Sequence, residues 1–324
     1  MFITRPIHNI FQCVFLAIAC LSIAACHNEA AAPLKIGSNV WPGYETLYLA
    51  RSLDWLPESS VKLVELPSST DVSLAMRNHL LDGACLTLDE ALLLLQHDID
   101  ISILLVMDFS SGGDVLLGKA QLDDLQSLKG KRIGVENNAV GAIVLDSALR
   151  KAGLRINDVT LIKLTVDEQE SAFVADNIDA LVTFDPVSTR LINNHQAHVL
   201  FSSKEIPGRI VDVLVIRNDL PDVQKANIQM LVDAHFKALG YLQSSPESAA
   251  GKMAPRLDLT PEELEQAYQG LTLPSKEENR RFLTGAPSQM QLRAEELARL
   301  MLNNNLISAY PRIGQITHRY WLGD

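Results

Sequence analysis

Apolar residues fall along this chain in short runs separated by amphipathic stretches. In the first third, the runs 34–40, 61–66, 83–86 and 101–107 have the length and continuity of strands buried on both faces. Between them, apolar positions recur at helical spacing over 44–53, 71–81 and 89–96. Strands alternating with helices in this way predict parallel β-α-β units. The alternation begins again after Leu122, with strands predicted over 132–136, 160–164, 180–184, 198–201 and 211–216. A Gly-containing loop, 137–141, opens a helix that runs to Leu149, and Lys151-Ala-Gly153 carries the signal of its end. A pattern that restarts points to two sheet-bearing lobes. Beyond Pro221 only helical periodicity remains, over 222–243, 291–302 and a helix to Gln269 that Thr260 caps and Pro261 starts. Such a tail needs a surface to bury against, and the first lobe offers one. The charged stretch 275–287, broken by Gly285 and Pro287, reads as a surface excursion.

The first 25 residues stand outside this pattern. Residues 1–10 carry Arg5 and no acid, and 10–25 are almost wholly apolar yet short for a bilayer span, as in a signal peptide. They end in Leu21-Ser-Ile-Ala-Ala-Cys26, which resembles a bacterial lipobox. That resemblance makes 1–25 a removable leader, Cys26 the lipidation site and 26–33 a tether; a plain signal peptide is the alternative reading. Of the four cysteines, Cys13 and Cys20 would leave with the leader. Cys85, in the setting Gly-Ala-Cys-Leu, then has no intramolecular partner and reads as a small buried hydrophobe. Removal of 25 from 324 residues leaves 299, enough for about two domains. The net charge of −11 and the absence of a basic stripe exclude nucleic acid as an expected partner.

Five segments at predicted strand ends could face a ligand, because ligands in open α/β sheets sit at the carboxyl ends of strands. They are Asn39-Val-Trp41-Pro-Gly-Tyr44-Glu45, Leu86-Thr87-Leu-Asp89-Glu90, Met107-Asp108-Phe-Ser110-Ser-Gly-Gly-Asp114, Glu136-Asn137-Asn-Ala139-Val140-Gly141 and Thr183-Phe184-Asp185-Pro186. Pro42-Gly43 forces a turn that should expose Trp41 and Tyr44 to a site. The chain resembles periplasmic solute-binding proteins of ABC transporters, in the nitrate/sulfonate/taurine group that also holds pyrimidine-precursor binders. The residues that carry the resemblance are Trp41-Pro-Gly-Tyr-Glu-Thr-Leu-Tyr-Leu-Ala50, Ser110-Ser-Gly-Gly-Asp114, Leu125-x-x-Leu-Lys-Gly-Lys-Arg-Ile-Gly-Val135 and Asp179-Ala-Leu-Val-Thr-Phe-Asp-Pro186. It extends from about Leu34 to Arg217 and fits the helical tail less specifically. It implies an α/β, two-lobed Venus-flytrap fold of type II, each lobe a mixed, mostly parallel sheet flanked by helices. Crossings between lobes are expected near 115–119 and 211–217, giving a first lobe of 34–115 plus 217–324 and a second of 116–216.

The implied ligand contacts are Asn39, Trp41, Tyr44, Glu45, Thr87, Asp89, Asp108, Ser110, Asp114, Asn137, Ala139, Val140, Phe184 and Asp185. Acids crowd these segments, and no Arg or Lys lies within them. Unpaired carboxylates in a partly dry cleft are costly, and a cationic or amine-bearing solute would relieve that cost. The helix start at 137–141 instead favours an anionic group, so a zwitterion would satisfy both ends. Each acid also has a structural reading. Asp89 could cap a helix, Asp108 and Asp114 could brace a turn, Asp185 could start the turn at Pro186, and Glu136 could point to solvent. No Gly-x-Ser-x-Gly, P-loop or His-Glu-x-x-His motif occurs. His195 and His198 could share a helix face but have no third ligand, and His79, His97, His235 and His318 read as surface residues. The expectation is therefore a monomeric, lipid-anchored periplasmic binder, with no cofactor and no metal, that serves an ABC permease. A sensory module presenting its closed form to a membrane signalling protein, a binder of a sulfonate or pyrimidine-type ligand, and an enzyme on the same fold are the alternatives.

Overall fold

In a computed structural model of the chain, residues 32–136, 138–303, 306–314, 316–317 and 321–322 are described. The leader, Cys26, most of the tether, His318 and the expected contact Asn137 lie outside these residues. The strands are β1 (Leu34–Ser38), β2 (Val61–Glu65), β3 (Gly83–Thr87), β4 (Ile101–Ser110), β5 (Asp114–Gly118), β6 (Arg132–Val135), β7 (Thr160–Lys163), β8 (Ala180–Phe184), β9 (His198–Ser202), β10 (Val211–Arg217) and β11 (Leu271–Thr272). They form two mixed sheets, in the orders β11-β4-β10-β3-β1-β2 and β7-β6-β8-β5-β9. Each is parallel except around β10 and β5 respectively, which run antiparallel to both neighbours, and at the edge strand β11. Burial on both faces explains why β3 and β4 are continuous apolar runs rather than alternating ones.

Helices α1 (Glu45–Ser52), α2 (Ser69–Arg77) and α3 (Leu88–Gln96) belong to the first lobe, and α4 (Ala139–Lys151), α5 (Val166–Val174) and α6 (Val187–His195) to the second. The tail supplies α7 (Lys225–Ser244), α8 (Pro246–Leu257), α9 (Pro261–Tyr268), α10 (Lys276–Leu283) and α11 (Gln289–Asn303). Buried residues of α7, α8 and α11 join the core of the first lobe, as an amphipathic tail requires. In the second lobe, alternate residues of β5 feed opposite layers: Leu116 packs with Ile133 and Val144, while Val115 and Leu117 pack with Phe173 and Leu191.

The chain passes between the sheets twice, through residues 111–113 and 203–210, on either side of β5–β9. The expected crossing at 211–217 is therefore corrected. That stretch is an inner strand of the first sheet, and its apolar residues are buried between β3 and β4. The other crossing precedes 115–119, because Ser110 still pairs with β11 while Asp114 already pairs with Phe184 in β8. Backbones approach closely there. Ser111 and Gly113 both donate their N–H to the Gly270 carbonyl, at 2.8 and 3.1 Å, and a Cβ on Gly270 would come within 2.8 Å of the Gly113 nitrogen.

Three further expectations are corrected. The excursion at 275–287 contains α10, capped by Ser275 and Glu278, and its Asn279 is fully buried. Charged residues on its outer side had masked that amphipathic pattern. His195 ends a helix and His198 begins a strand, so they share no helix face. His235 is buried on α7, with Nδ1 2.9 Å from the Thr46 hydroxyl. No metal-binding cluster occurs among the described residues, nor does any of their helices have the length and apolarity to cross a membrane. Cys85 is buried and free.

Candidate functional site

The loop after β1 reaches Trp41 in extended conformation and then closes a 3-10 turn, Pro42–Tyr44, with the Tyr44 N–H donating to the Trp41 carbonyl at 3.1 Å. Proline at the first position of the turn presets its backbone. Gly43 is required by contact, since a Cβ there would lie 1.8 Å from Asp108 Oδ2. The turn points both aromatic side chains at the sheet ends. Trp41 Nε1 donates to Asp108 Oδ2 at 3.0 Å, and the Tyr44 hydroxyl donates to Asp212 Oδ1 at 2.5 Å. Trp41 also meets Phe184 of the second lobe edge-on, with centroids 5.5 Å apart. Both aromatics are enclosed, at 5% and 2% exposure, which corrects the expectation that the Pro-Gly turn leaves them open.

The ladder brings the acids together. Asp212 in β10 lies in register with Asp108 of β4 on one side and Thr87 of β3 on the other. At the next turn, Glu90 folds back so that its Oε2 accepts the Thr87 N–H at 3.0 Å. These groups and the second lobe enclose a cavity of about 360 Å³, mouth included. Asn39, Trp41, Tyr44, Ser69, Thr87, Glu90 and Asp212 line it from the first lobe, and Asp114, Asn138, Val140 and Phe184 from the second. Among these lining residues are three carboxylates and no cationic side chain. Among the described residues, the hydroxyl of Thr87 and the Oδ1 atom of Asp108 are buried without a hydrogen-bond partner.

Burial dominates the titration of this cluster. Removal from water, with repulsion from Asp114, raises the carboxyl of Asp108 to about 7, and removal from water, with repulsion from Asp185 and Glu90, raises that of Asp114 to about 6. Asp212 is driven well above its ordinary range by burial and then by Asp108, and Glu90 is raised by burial. Asp89, behind the lining, is pushed to about 8 by burial and by Glu90, and its Oδ2 has no hydrogen-bond partner among the described residues. Glu136 rises to about 7 for the same two causes. A group of this kind holds protons near neutrality unless a positive charge replaces them.

Of the residues expected from sequence, Asn39, Trp41, Tyr44, Thr87, Asp114, Val140 and Phe184 line the cavity, and Asp108 stands directly behind Trp41. Four others are engaged elsewhere. Glu45 is ion-paired with Arg256, which also meets Glu65, so it serves the helix junction rather than the cavity. Asp185 accepts from the Ser188 and Thr189 hydroxyls at 2.6 and 2.7 Å and from the Thr189 N–H at 3.1 Å, which makes it a brace for α6. The Ser110 hydroxyl lies 2.8 Å from that of Ser203, joining the two crossings. Ala139 packs into the first lobe's core cluster. Glu90, Asp212, Ser69 and Asn138 line the cavity beyond the contacts expected from sequence. Thr87 and Glu90 stand in the spacing of a capping box, which was a usable signal for Glu90, and Asn138 is the residue that caps α4. Asp212 sits inside an apolar run, and only the ladder assigns its neighbours.

Residues 27–257 match the model of the NMT1-like family. A protein of Brucella abortus, classed only as a binding protein, is 28% identical over 176 residues, covering 51% of this chain and 53% of the relative, so the match spans about half the length of each. The alkanesulfonate-binding protein SsuA from Xanthomonas axonopodis pv. citri, bound to MOPS, superposes with a TM-score of 0.74 at 19% identity, over 88% of this chain and 98% of that one. The periplasmic aliphatic sulphonate binding protein SsuA from Escherichia coli gives 0.72 at 19%, over 90% and 99%. The desulfurization enzyme DszB has the same fold, with 0.65 at 15% over 90% and 98%. At these identities the superpositions establish the two-lobed binding-protein fold, and the family match establishes descent: the chain belongs to the NMT1-like family.

Proposed function

We propose that this chain is a periplasmic solute-binding protein, held to a membrane through Cys26, that takes up a small amine-bearing or zwitterionic solute between its lobes and presents it to an ABC permease. The observation that carries this reading is the composition of the cavity: Glu90, Asp114 and Asp212 line it, with no cationic side chain among its described lining residues. A sulfonate or nitrate would have to sit against these carboxylates, whereas an ammonium group would let them ionise. Trp41 and Phe184 add aromatic surface, and a cation over such a ring gains about 0.5–2 kcal/mol. Asn138 and Val140 bring the N-terminus of α4 to the same space, which suits a carboxylate at the other end of the solute. The lobes would hinge at 111–113 and 203–210, and a solute touching both would shift the open–closed equilibrium by its differential affinity. The protein acts as a monomer and changes no bond in the solute.

A thermal-shift series tests this. Polyamines, amino acids and aminomethyl-pyrimidines are compared with alkanesulfonates and nitrate on the purified protein. Amines or zwitterions should raise the melting temperature and the anions should not. Stabilisation by anions alone would overturn the charge assignment, and conversion of any bound compound would overturn the binding-only reading.

A further inference from the structure

Glu136 follows β6 in the second lobe and reaches across the cleft. Its Oε1 accepts from the Ser69 hydroxyl at 3.5 Å and the Thr70 hydroxyl at 3.3 Å, both at the start of α2 in the first lobe. Its Oε2 accepts from Asn138 of its own lobe at 3.0 Å. The two hydroxyl contacts exist only while the lobes are together. Other contacts join the same halves: Trp41 against Phe184, and Asn193 of α6 donating to Glu263 of α9 at 2.7 Å.

What faces Glu136 is also acidic. Glu90 of α3 acts on it from the first lobe, and the α2 residues that touch it are uncharged. Lys163 and Arg209 line the outer cavity that Glu136 borders, but neither is ion-paired with it among the described residues. The pattern continues inward. Asp114, on the second lobe's strand, feels Asp185 of its own lobe and Glu90 of the other. Asp212 feels Asp108, Asp114 and Glu90, with the Tyr44 hydroxyl as its donor. Glu90, Asp108 and Asp212 of the first lobe and Asp114 and Glu136 of the second are each at least nine-tenths buried. Closing the empty cleft therefore removes carboxylates of both lobes from water and presses like charges together, with no cation ion-paired to Glu136 and none lining the inner cavity among the described residues.

We propose that protons gate the closure of the empty cleft: Glu136, latched to Ser69 and Thr70, and the carboxylates that face one another across the cleft take up protons as the lobes close, so that the solute-free protein shuts as pH falls and opens as it rises. This regulation rests on the reading of the cleft as the solute site. Burial holds Glu136 near 7 and Asp114 near 6, which puts the transition in the neutral range. An amine-bearing solute supplies at alkaline pH the charge that protons supply at acid pH. Its binding in the acid range then displaces protons and weakens as they compete.

Small-angle X-ray scattering on the purified solute-free chain, from about pH 5.5 to 8.5, reads the gate directly. The radius of gyration should be smaller at the acid end, with a midpoint near 7. Glu136→Gln, which imitates the protonated side chain, should hold the acid-range value to higher pH. Ser69→Ala combined with Thr70→Val removes the latch from the other lobe and should leave the chain extended at acid pH, which decides the matter where Glu136→Gln fails to fold. A radius that ignores pH, or a Glu136→Gln chain that keeps the wild-type midpoint, overturns the gate. If amines bind and compact the chain while pH does nothing, the gate falls and the proposed function stands. If pH moves the radius but no amine binds, the gate stands and the proposed function falls.

Discussion

At the scale of single residues, Asp212 carries more of the site than its sequence setting announces. In Val211-Asp-Val-Leu-Val it looks like a polar interruption of a strand, yet the ladder sets it between Asp108 and Thr87, under the Tyr44 hydroxyl. Tyr44→Phe removes that donor from a buried carboxyl, and hydrogen bonds to charged groups contribute about 1.5–3 kcal/mol. Amine affinity should fall about tenfold to a hundredfold by isothermal titration calorimetry, with the far-ultraviolet circular dichroism spectrum unchanged. Gly43→Ala is expected to be more severe for binding, because the new methyl group collides with Asp108 and must push it or the turn aside. A variant that binds as tightly as wild type would show that Asp108 does not shape the cavity. The aromatic loop is legible from Pro42-Gly43 and Asp108 from its strand-end segment, whereas Asp212, 168 residues from the Tyr44 it meets, is not.

At the scale of elements, local signals located ends better than contents. The turn after β1 and the caps at Thr260 and Asn138 follow from side-chain chemistry within a few residues. The pattern of α10 is faint in the sequence because its buried side is narrow and its anchor is an amide. Asn279 accepts the Val106 N–H at 2.7 Å and donates to the Val106 carbonyl at 3.0 Å, so it closes an otherwise open stretch of β4. Asn279→Ala leaves both backbone groups buried and unpaired, at a cost of about 1–3 kcal/mol each. Chemical denaturation should show the midpoint falling at an unchanged slope. An unaltered midpoint would mean that water replaces the amide. The same limit applies to the crossings. The Ser-Ser-Gly-Gly sequence announces a tight passage, but only the pairing of Ser110 with β11 and of Asp114 with β8 says which sheet each side enters.

For the whole molecule, the buried titratable groups set opposing pH trends. Asp114, Asp108, Glu136 and Asp89 have folded values raised to about 6, 7, 7 and 8. Raised groups favour the folded state at acid pH, and that contribution is lost as pH climbs through their folded values. His235 is lowered to about 4 by burial, so its contribution is complete above its ordinary value of 6.5 and is lost as pH falls from there towards 4. Between 6.5 and 8 the carboxylates act alone, and the melting temperature of the solute-free protein should drop as pH rises across that interval. A cationic solute should reverse the slope, which differential scanning calorimetry at the two ends of the interval would show. A flat profile would mean that the acids are already ionised and paired in solution.

The sequence by itself determined what depends on near neighbours and periodicity: strands alternating with helices, a restart that makes two lobes, a helical tail, and an aromatic turn at the end of β1. It also set the chemical character of the site, because acids outnumber cations in the strand-end segments wherever those segments come to lie. Tertiary structure decided which acids face the cavity and which are occupied elsewhere. Glu45 found Arg256 from a helix 211 residues away, Asp185 turned inward to hold α6, and Asp212 came into line through antiparallel pairing. The physical reason is that a carboxylate's role depends on its nearest donors and on its distance from water, and those are fixed by contacts far apart in the chain.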